Sequence, residues 1–367
     1  MKISFPYMGT SHIAFKMLVK DLGHEPVVPP KPSKKTLTYG TQNSPEFACL
    51  PFKILLGSYL EAIEQGAELI ITSGGAGPCR AGYYGVLHQK ILQDLGHDTK
   101  ITVMESPYRD IIDFLGKIRS VIKPGGVSWW TFIRVFKKAW EKLKALDDAE
   151  ILSHEIRPFE ISRGETTKVF KKCLDIIDEA YTLKEIQEAA EVTKKMLKSI
   201  HQDRSRRVLN VGIVGEIYVV LEPFANLEIE TMLGEMGVQT HRSIYLSDWT
   251  RENTGFESKA NVIKAASPYI DELFGGHGIC SVGHTVLYSK KGFDGVVQLA
   301  PFTCIPEIVA KSILTQVTHD YGIPVLTVFL DEQTGKAGLQ TRLEAFVDLL
   351  GQKRDVIEGA AMEGIAI

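Results

Sequence analysis

The sequence predicts an α/β protein built from two parallel-sheet domains with a mainly helical insert between them. Short apolar runs alternate with amphipathic helical stretches at both ends of the chain, an order that builds mainly parallel sheets covered on both faces. In the middle the apolar runs disappear, and Lys and Glu are spaced among apolar residues in a helical rhythm. The length, 367 residues, exceeds what one ordinary core accommodates.

The first domain is expected over residues 1–107. A strand at 2–5 leads to a helix from about Ser11, an extended stretch at 24–28 and a helix over 45–65. A strand at 67–72, a helix over 84–95 and a strand at 100–105 complete it. Residues 108–205 form the insert, broken once at Pro124-Gly125-Gly126. Alternation resumes over 206–367, with strands at 208–214, 240–245, 295–299 and 325–329. Helices are expected from about Asn226, up to Phe274, and over 306–320 and 339–350. Both ends are thus Rossmann-like, and ligands are expected at the carboxyl ends of their strands.

Net charge is −3, from 42 basic and 45 acidic residues. That balance supplies no broad basic field, so nucleic acid is not an expected partner. No run of about 18 apolar residues appears, and the N-terminus lacks a basic, then apolar, leader pattern. The expectation is a soluble cytoplasmic protein without a membrane partner. Five cysteines in such a chain do not read as a secreted disulfide framework. Reduced thiols that gather would mean metal or catalysis.

One cysteine phrase occurs twice: Phe47-Ala48-Cys49-Leu50-Pro51 and Phe302-Thr303-Cys304-Ile305-Pro306, each ahead of an amphipathic helix. Pro two residues past Cys suits the first helical turn, where its missing N–H leaves nothing unpaired. Each thiolate would then lie beside free backbone N–H groups that stabilise negative charge. A third cysteine, Cys79, sits in the glycine-rich loop Ser73–Gly82 after the apolar run Leu69-Ile70-Ile71. Cys79 and Cys304 therefore each follow a predicted strand, and two facing sheet edges would bring the sulfurs together. Soft thiolates suit iron–sulfur clusters. Separations of 30 and 225 residues along the chain are nevertheless unlike ferredoxins or zinc ribbons. Free cysteine is also a small buried hydrophobe, a reading that spacing leaves open.

Cys173 shares a helical stripe with Val169, Ile176, Ile177 and Ala180 and reads as core. Cys280 lies in Gly275-Gly276-His277-Gly278-Ile279-Cys280-Ser281-Val282-Gly283-His284 and is a candidate fourth ligand or supporting group. The same loop serves equally well as a tight turn, with His277 and His284 as structural histidines. Gly212-Ile213-Val214-Gly215-Glu216 follows a strand but lacks the dinucleotide fingerprint, and no helix is expected directly after it. Gly335-Lys336-Ala337 lacks the rest of a phosphate loop, so no ATP site is expected. Glu216, Asp331 and Glu332 sit at strand ends, as solvated caps or as proton-handling groups.

Taken together, the two cysteine phrases, the Ser73–Gly82 loop, Gly212-Ile213-Val214-Gly215-Glu216-Ile217-Tyr218, the block Pro301–Lys311 and Asp331-Glu332-Gln333-Thr334-Gly335-Lys336-Ala337-Gly338-Leu339 resemble the 2-hydroxyglutaryl-CoA dehydratase superfamily. The likeness is to its branch labelled CoA protein activase, or acyl-CoA dehydratase activase-related protein. It covers nearly the whole chain and is least secure in the helical middle. What the resemblance implies is a [4Fe-4S] cluster, or a double-cubane cluster, held by Cys49, Cys79 and Cys304. It also implies an ATP-hydrolysing activator of the actin/Hsp70 type as electron donor, an acyl-CoA substrate, and a homodimer or a heterodimer with a related subunit. The chain would be the electron acceptor, because it lacks the activator's nucleotide-binding loops. Two roles stay open: a dehydratase-like lyase or low-potential reductase subunit, and a non-catalytic relay within a larger complex. A double cubane with six thiolates exceeds the five cysteines and would need sulfurs from two chains or other ligands. A cysteine-nucleophile or zinc protein is a third reading, which no Cys–His pair or paired ligand spacing supports.

Overall fold

The computed structural model describes residues 1–75, 79–107, 110–254, 259–270, 272 and 275–362. The expected end of a helix at Phe274 and the Ala76–Pro78 part of the glycine-rich loop lie outside them. The fold is α/β, with two four-stranded sheets, each entirely parallel. β1 (Lys2–Ser4), β2 (Glu25–Pro26), β3 (Leu69–Ser73) and β4 (Lys100–Met104) pair in the order β2-β1-β3-β4. β5 (Leu209–Gly215), β6 (Val238–Arg242), β7 (Gly295–Pro301) and β8 (Val325–Leu330) pair in the order β6-β5-β7-β8. The two orders are one topology used twice, with the first and third strands of each unit at its centre.

Strand character follows from composition. β7 is buried at every position, as an apolar run between two neighbours must be. β2 shrinks to two residues because Pro26, Pro29 and Pro30 cannot donate ladder hydrogen bonds. Both units drain into one apolar core, where Ile54, Tyr59 and Ile70 pack with Val211, Tyr218, Leu299, Val328 and Leu343. Between the sheets in sequence run helices Ile111–Ile122, Trp129–Ile156, Glu165–Glu179 and Leu183–Lys198. Asp110, Ser128 and Thr182 start three of them by accepting backbone N–H bonds that the first turn leaves unpaired. Cys173 is fully buried there among Leu146, Ile177, Ile186 and Leu197, the core position its stripe predicted.

A buried ion network fixes the longest of these helices to the second sheet. From β6, Arg242 donates to both oxygens of Glu150 at 2.8 and 3.0 Å, and to Glu230 at 2.7 Å. No helix among the described residues is long and apolar enough to cross a membrane.

Two local expectations are corrected. A helix that was not expected, Lys34–Asn43, precedes Leu50–Glu64, the helix expected over 45–65. Ser33 opens the first through a reciprocal cap with Thr36. The pair packs backbone to backbone, because a Cβ on Gly40 would fall 1.7 Å from the Lys53 carbonyl oxygen, and one on Gly57 1.8 Å from that of Thr36. After β5, where no helix was expected, the short helix Ile217–Leu221 opens with Glu216 as its cap, accepting from the Val219 N–H. Glutamate is a weak cap signal, so the sequence pattern concealed it.

Candidate functional site

Cys79 lies beyond β3, just before helix Ala81–Asp94, and Cys304 lies beyond β7 as the residue that opens helix Ile305–Tyr321. These are equivalent positions in the two units. Cys49 opens helix Leu50–Glu64, with Pro51 in its first turn as Pro306 is in the other. The repeated phrase is therefore repeated locally but not topologically: the Cys49 helix leads into a third strand, whereas the Cys304 helix leaves one. By topology the counterpart of Cys49 is the first turn of helix Gly278–Lys290, which holds Cys280.

The three loops meet. Arg80, next to Cys79, donates through its guanidinium to the Phe47 carbonyl and to the Thr303 hydroxyl at 3.3 Å. The Thr303 hydroxyl in turn donates to the same Phe47 carbonyl at 3.1 Å. Thr303 has φ +68°, a left-handed conformation that a β-branched residue adopts only when its surroundings over-determine it. From the other side Gly276, at φ +63°, closes against Cys79 and Pro306: a Cβ there would stand 3.5 Å from the Cys79 Cβ and 2.7 Å from the proline ring.

Burial dominates the chemistry of the thiols. It raises Cys49, Cys79 and Cys304 above the ordinary thiol range, and the Glu216 carboxylate raises all three further. For Cys49 the Tyr84 hydroxyl, the Phe52 N–H and the Arg80 cation pull the other way without prevailing. The helix-entrance effect expected from the sequence is thus present but outweighed. A metal-free thiol here keeps its proton; binding a metal would displace it.

Tyr84, one turn into the helix after Cys79, places its hydroxyl 2.6 Å from the Cys49 sulfur. Its ring packs edge-on against Phe52 at 5.2 Å and near His88 at 5.7 Å. Burial pushes Glu216 up to about 7 against the Val219 and Tyr218 N–H groups. Glu307, three residues past Cys304, is wholly buried and also pushed up to about 7, opposed by bonds from Gln298 and Ser281 at 2.8 and 3.0 Å. Two carboxyls near neutrality thus flank the three thiols, and either can hold or release a proton there. Sequence reading missed Arg80, Tyr84, Thr303 and Glu307; the aromatic at the second turn after Cys79 was the one visible signal.

The remaining candidates fall elsewhere. Cys280 is buried and lines a separate cavity of about 20 Å³ with His277, His284, Glu252 and Lys259, room for about one water. Burial lowers His277 to about 3 and His284 to about 4, with Lys259 adding to both. Glu332 binds the buried Lys53 ammonium at 2.7 Å, joining the two units, and Asp331 accepts from Thr334 and Gln333 in a local turn. Neither carboxylate is a solvated cap of a helix.

Among the described residues no three Cys, His, Asp or Glu side chains stand close enough to hold one metal ion. The three thiols sit on loops that hydrogen-bond to one another without sharing a single coordination sphere. Fold and site together define two Rossmann-like parallel-sheet units whose loops at Cys79 and Cys304, after β3 and β7, meet the loop of Cys49 at the entrance of helix Leu50–Glu64. No family model matches the chain, and no curated protein matches it.

Proposed function

We propose that the chain is an iron–sulfur redox protein resembling a 2-hydroxyacyl-CoA dehydratase subunit. In this reading it accepts a low-potential electron from a separate ATP-hydrolysing activator and passes it to a bound substrate. The observation that supports the proposal is that the loops carrying the soft donors Cys49, Cys79 and Cys304 are tied together through Arg80, Phe47 and Thr303. A cluster held by three thiolates would supply electron storage and one iron without a protein ligand. The chain's own residues would do the rest. Tyr84 would donate to a Cys49 thiolate, and Glu216 and Glu307 would hold protons near the thiols.

Anaerobic reconstitution with iron and sulfide, followed by metal and sulfide analysis and EPR, tests this. Bound iron and sulfide with a cluster signal that Cys304→Ser removes is the expected result; a colourless, iron-free protein overturns it. Stoichiometric zinc without iron would favour a zinc protein instead.

A second reading, a relay that serves a larger complex, is favoured by the surface of these loops. Phe47 is 70% and Phe302 56% exposed, with Ile305 and Ile308 beside them, apolar surface of the kind a partner covers. Substrate turnover by the isolated chain, given reductant and activator, would exclude a relay-only role.

A further inference from the structure

Cys49 and Cys304 are buried, while the phenylalanines of both phrases, Phe47 and Phe302, are exposed. Polar bonds join the two loops. One guanidinium, on the residue after Cys79, donates to the loop of Cys49 at Phe47 and to the loop of Cys304 at Thr303. We propose that Arg80 is a positioning residue, a latch that holds the Cys49 and Cys304 loops closed and so governs access of iron and solution reagents to the two thiols. The inference rests on the reading of these thiols as the functional site and adds to it how that site opens.

Three features support a latch over an ordinary surface contact. The Phe47 carbonyl receives both Arg80 and Thr303, so the bonds form a closed triangle among segments far apart in sequence. Thr303 is held in a left-handed conformation, which relaxes readily once its surroundings release it. The backbone N–H bonds of these loops stay within their own units: Ala48 N–H to Pro45, Cys304 N–H to Pro301 and Phe302 N–H to Leu330. Removing the guanidinium therefore takes away two of the three bonds of the triangle, leaves the loops joined only by Thr303 to Phe47, and does not undo either one's local anchorage.

The test uses metal-free, reduced, full-length protein and iodoacetamide, with labelling of each cysteine followed by mass spectrometry. Cys173, fully buried in the helical insert, gauges global unfolding in the same sample. With Arg80→Gln, labelling of Cys49 and Cys304 is expected to accelerate by about tenfold, the factor for losing a charge-assisted hydrogen bond, while Cys173 stays at the wild-type rate. Arg80→Lys should fall between, because it keeps a cation on a flexible stem but loses the fixed plane that aims one guanidinium nitrogen at both acceptors. Thr303→Ala, which removes one corner of the triangle, should accelerate the same two thiols and serves as the test if Arg80→Gln does not fold. Unchanged rates at Cys49 and Cys304, or rates that rise only in step with Cys173, overturn the latch. Because labelling needs no cluster, an iron-free protein that still shows the selective acceleration sinks the iron–sulfur reading and leaves the latch standing. Normal iron content with unchanged labelling does the reverse.

Discussion

The Tyr84 hydroxyl stands 2.6 Å from the Cys49 sulfur, on a helix that begins two residues after Cys79. That bond makes Cys49 more acidic than burial alone would leave it. Tyr84→Phe keeps the ring's packing on Phe52 and His88 and removes only the donor. The Cys49 pKa should rise further, so its alkylation-against-pH profile moves to higher pH while that of Cys173 stays put. A profile that does not move would show that the hydroxyl has no hold on the thiol.

Removing the cation from the buried network should be costly. Arg242 is the cation to which the buried carboxylates of Glu150 and Glu230 are bonded. Arg242→Met leaves two uncompensated carboxylates, at an expected cost of about 3–5 kcal/mol in urea unfolding. Arg242→Lys should recover part of this, since a single ammonium cannot serve two carboxylates as a guanidinium fork does. A loss under about 1 kcal/mol for the methionine variant would mean that the network closes poorly in solution.

How much of this was legible in the sequence depended on the range of the cause. The strands at 208–214 and 295–299 were legible because a buried parallel strand must be an apolar run. The placement of Cys79 and Cys304 after such runs followed from that. Arg80, Thr303 and Phe47 were invisible as a unit because their bonds join positions 33 to 256 residues apart. No local propensity announces a left-handed threonine. The pairing of helices Lys34–Asn43 and Leu50–Glu64 was hidden for a related reason: Gly40 and Gly57 look like helix breakers until their partner backbone is known.

Those glycines give a prediction of sign. In an exposed helix Gly→Ala stabilises by up to about 1 kcal/mol. At Gly57 the added methyl would lie 1.8 Å from the Thr36 carbonyl oxygen, which is backbone and cannot swing aside. Gly57→Ala should therefore destabilise by about 1–3 kcal/mol as the helices part. Gly116→Ala, in helix Ile111–Ile122 with open space around it, should stabilise. Thermal unfolding of both variants checks the pair; the same sign at both sites would contradict the close approach.

Asp147 sets a pH dependence that can be isolated. Its buried carboxyl accepts from the Ser247 N–H at 2.8 Å, yet burial pushes it from 3.8 up to about 7. Between those values the folded chain holds a proton that the unfolded chain has released. Stability from this group is therefore whole below pH 3.8 and falls as pH rises toward 7. The accumulated penalty reaches about 4 kcal/mol at most. Glu307, pushed up to about 7, slopes the same way, whereas His154 and His277, lowered to about 3, slope against it as they are buried uncharged. All of these are common to wild type and Asp147→Asn, so the difference between the two proteins reports Asp147 alone. The asparagine variant keeps an acceptor for Ser247 and loses the charge. Measured by urea unfolding from acid to neutral pH, its stability relative to wild type should climb steadily across that range; a flat difference would mean that Asp147 is ionised, and solvated, in the fold.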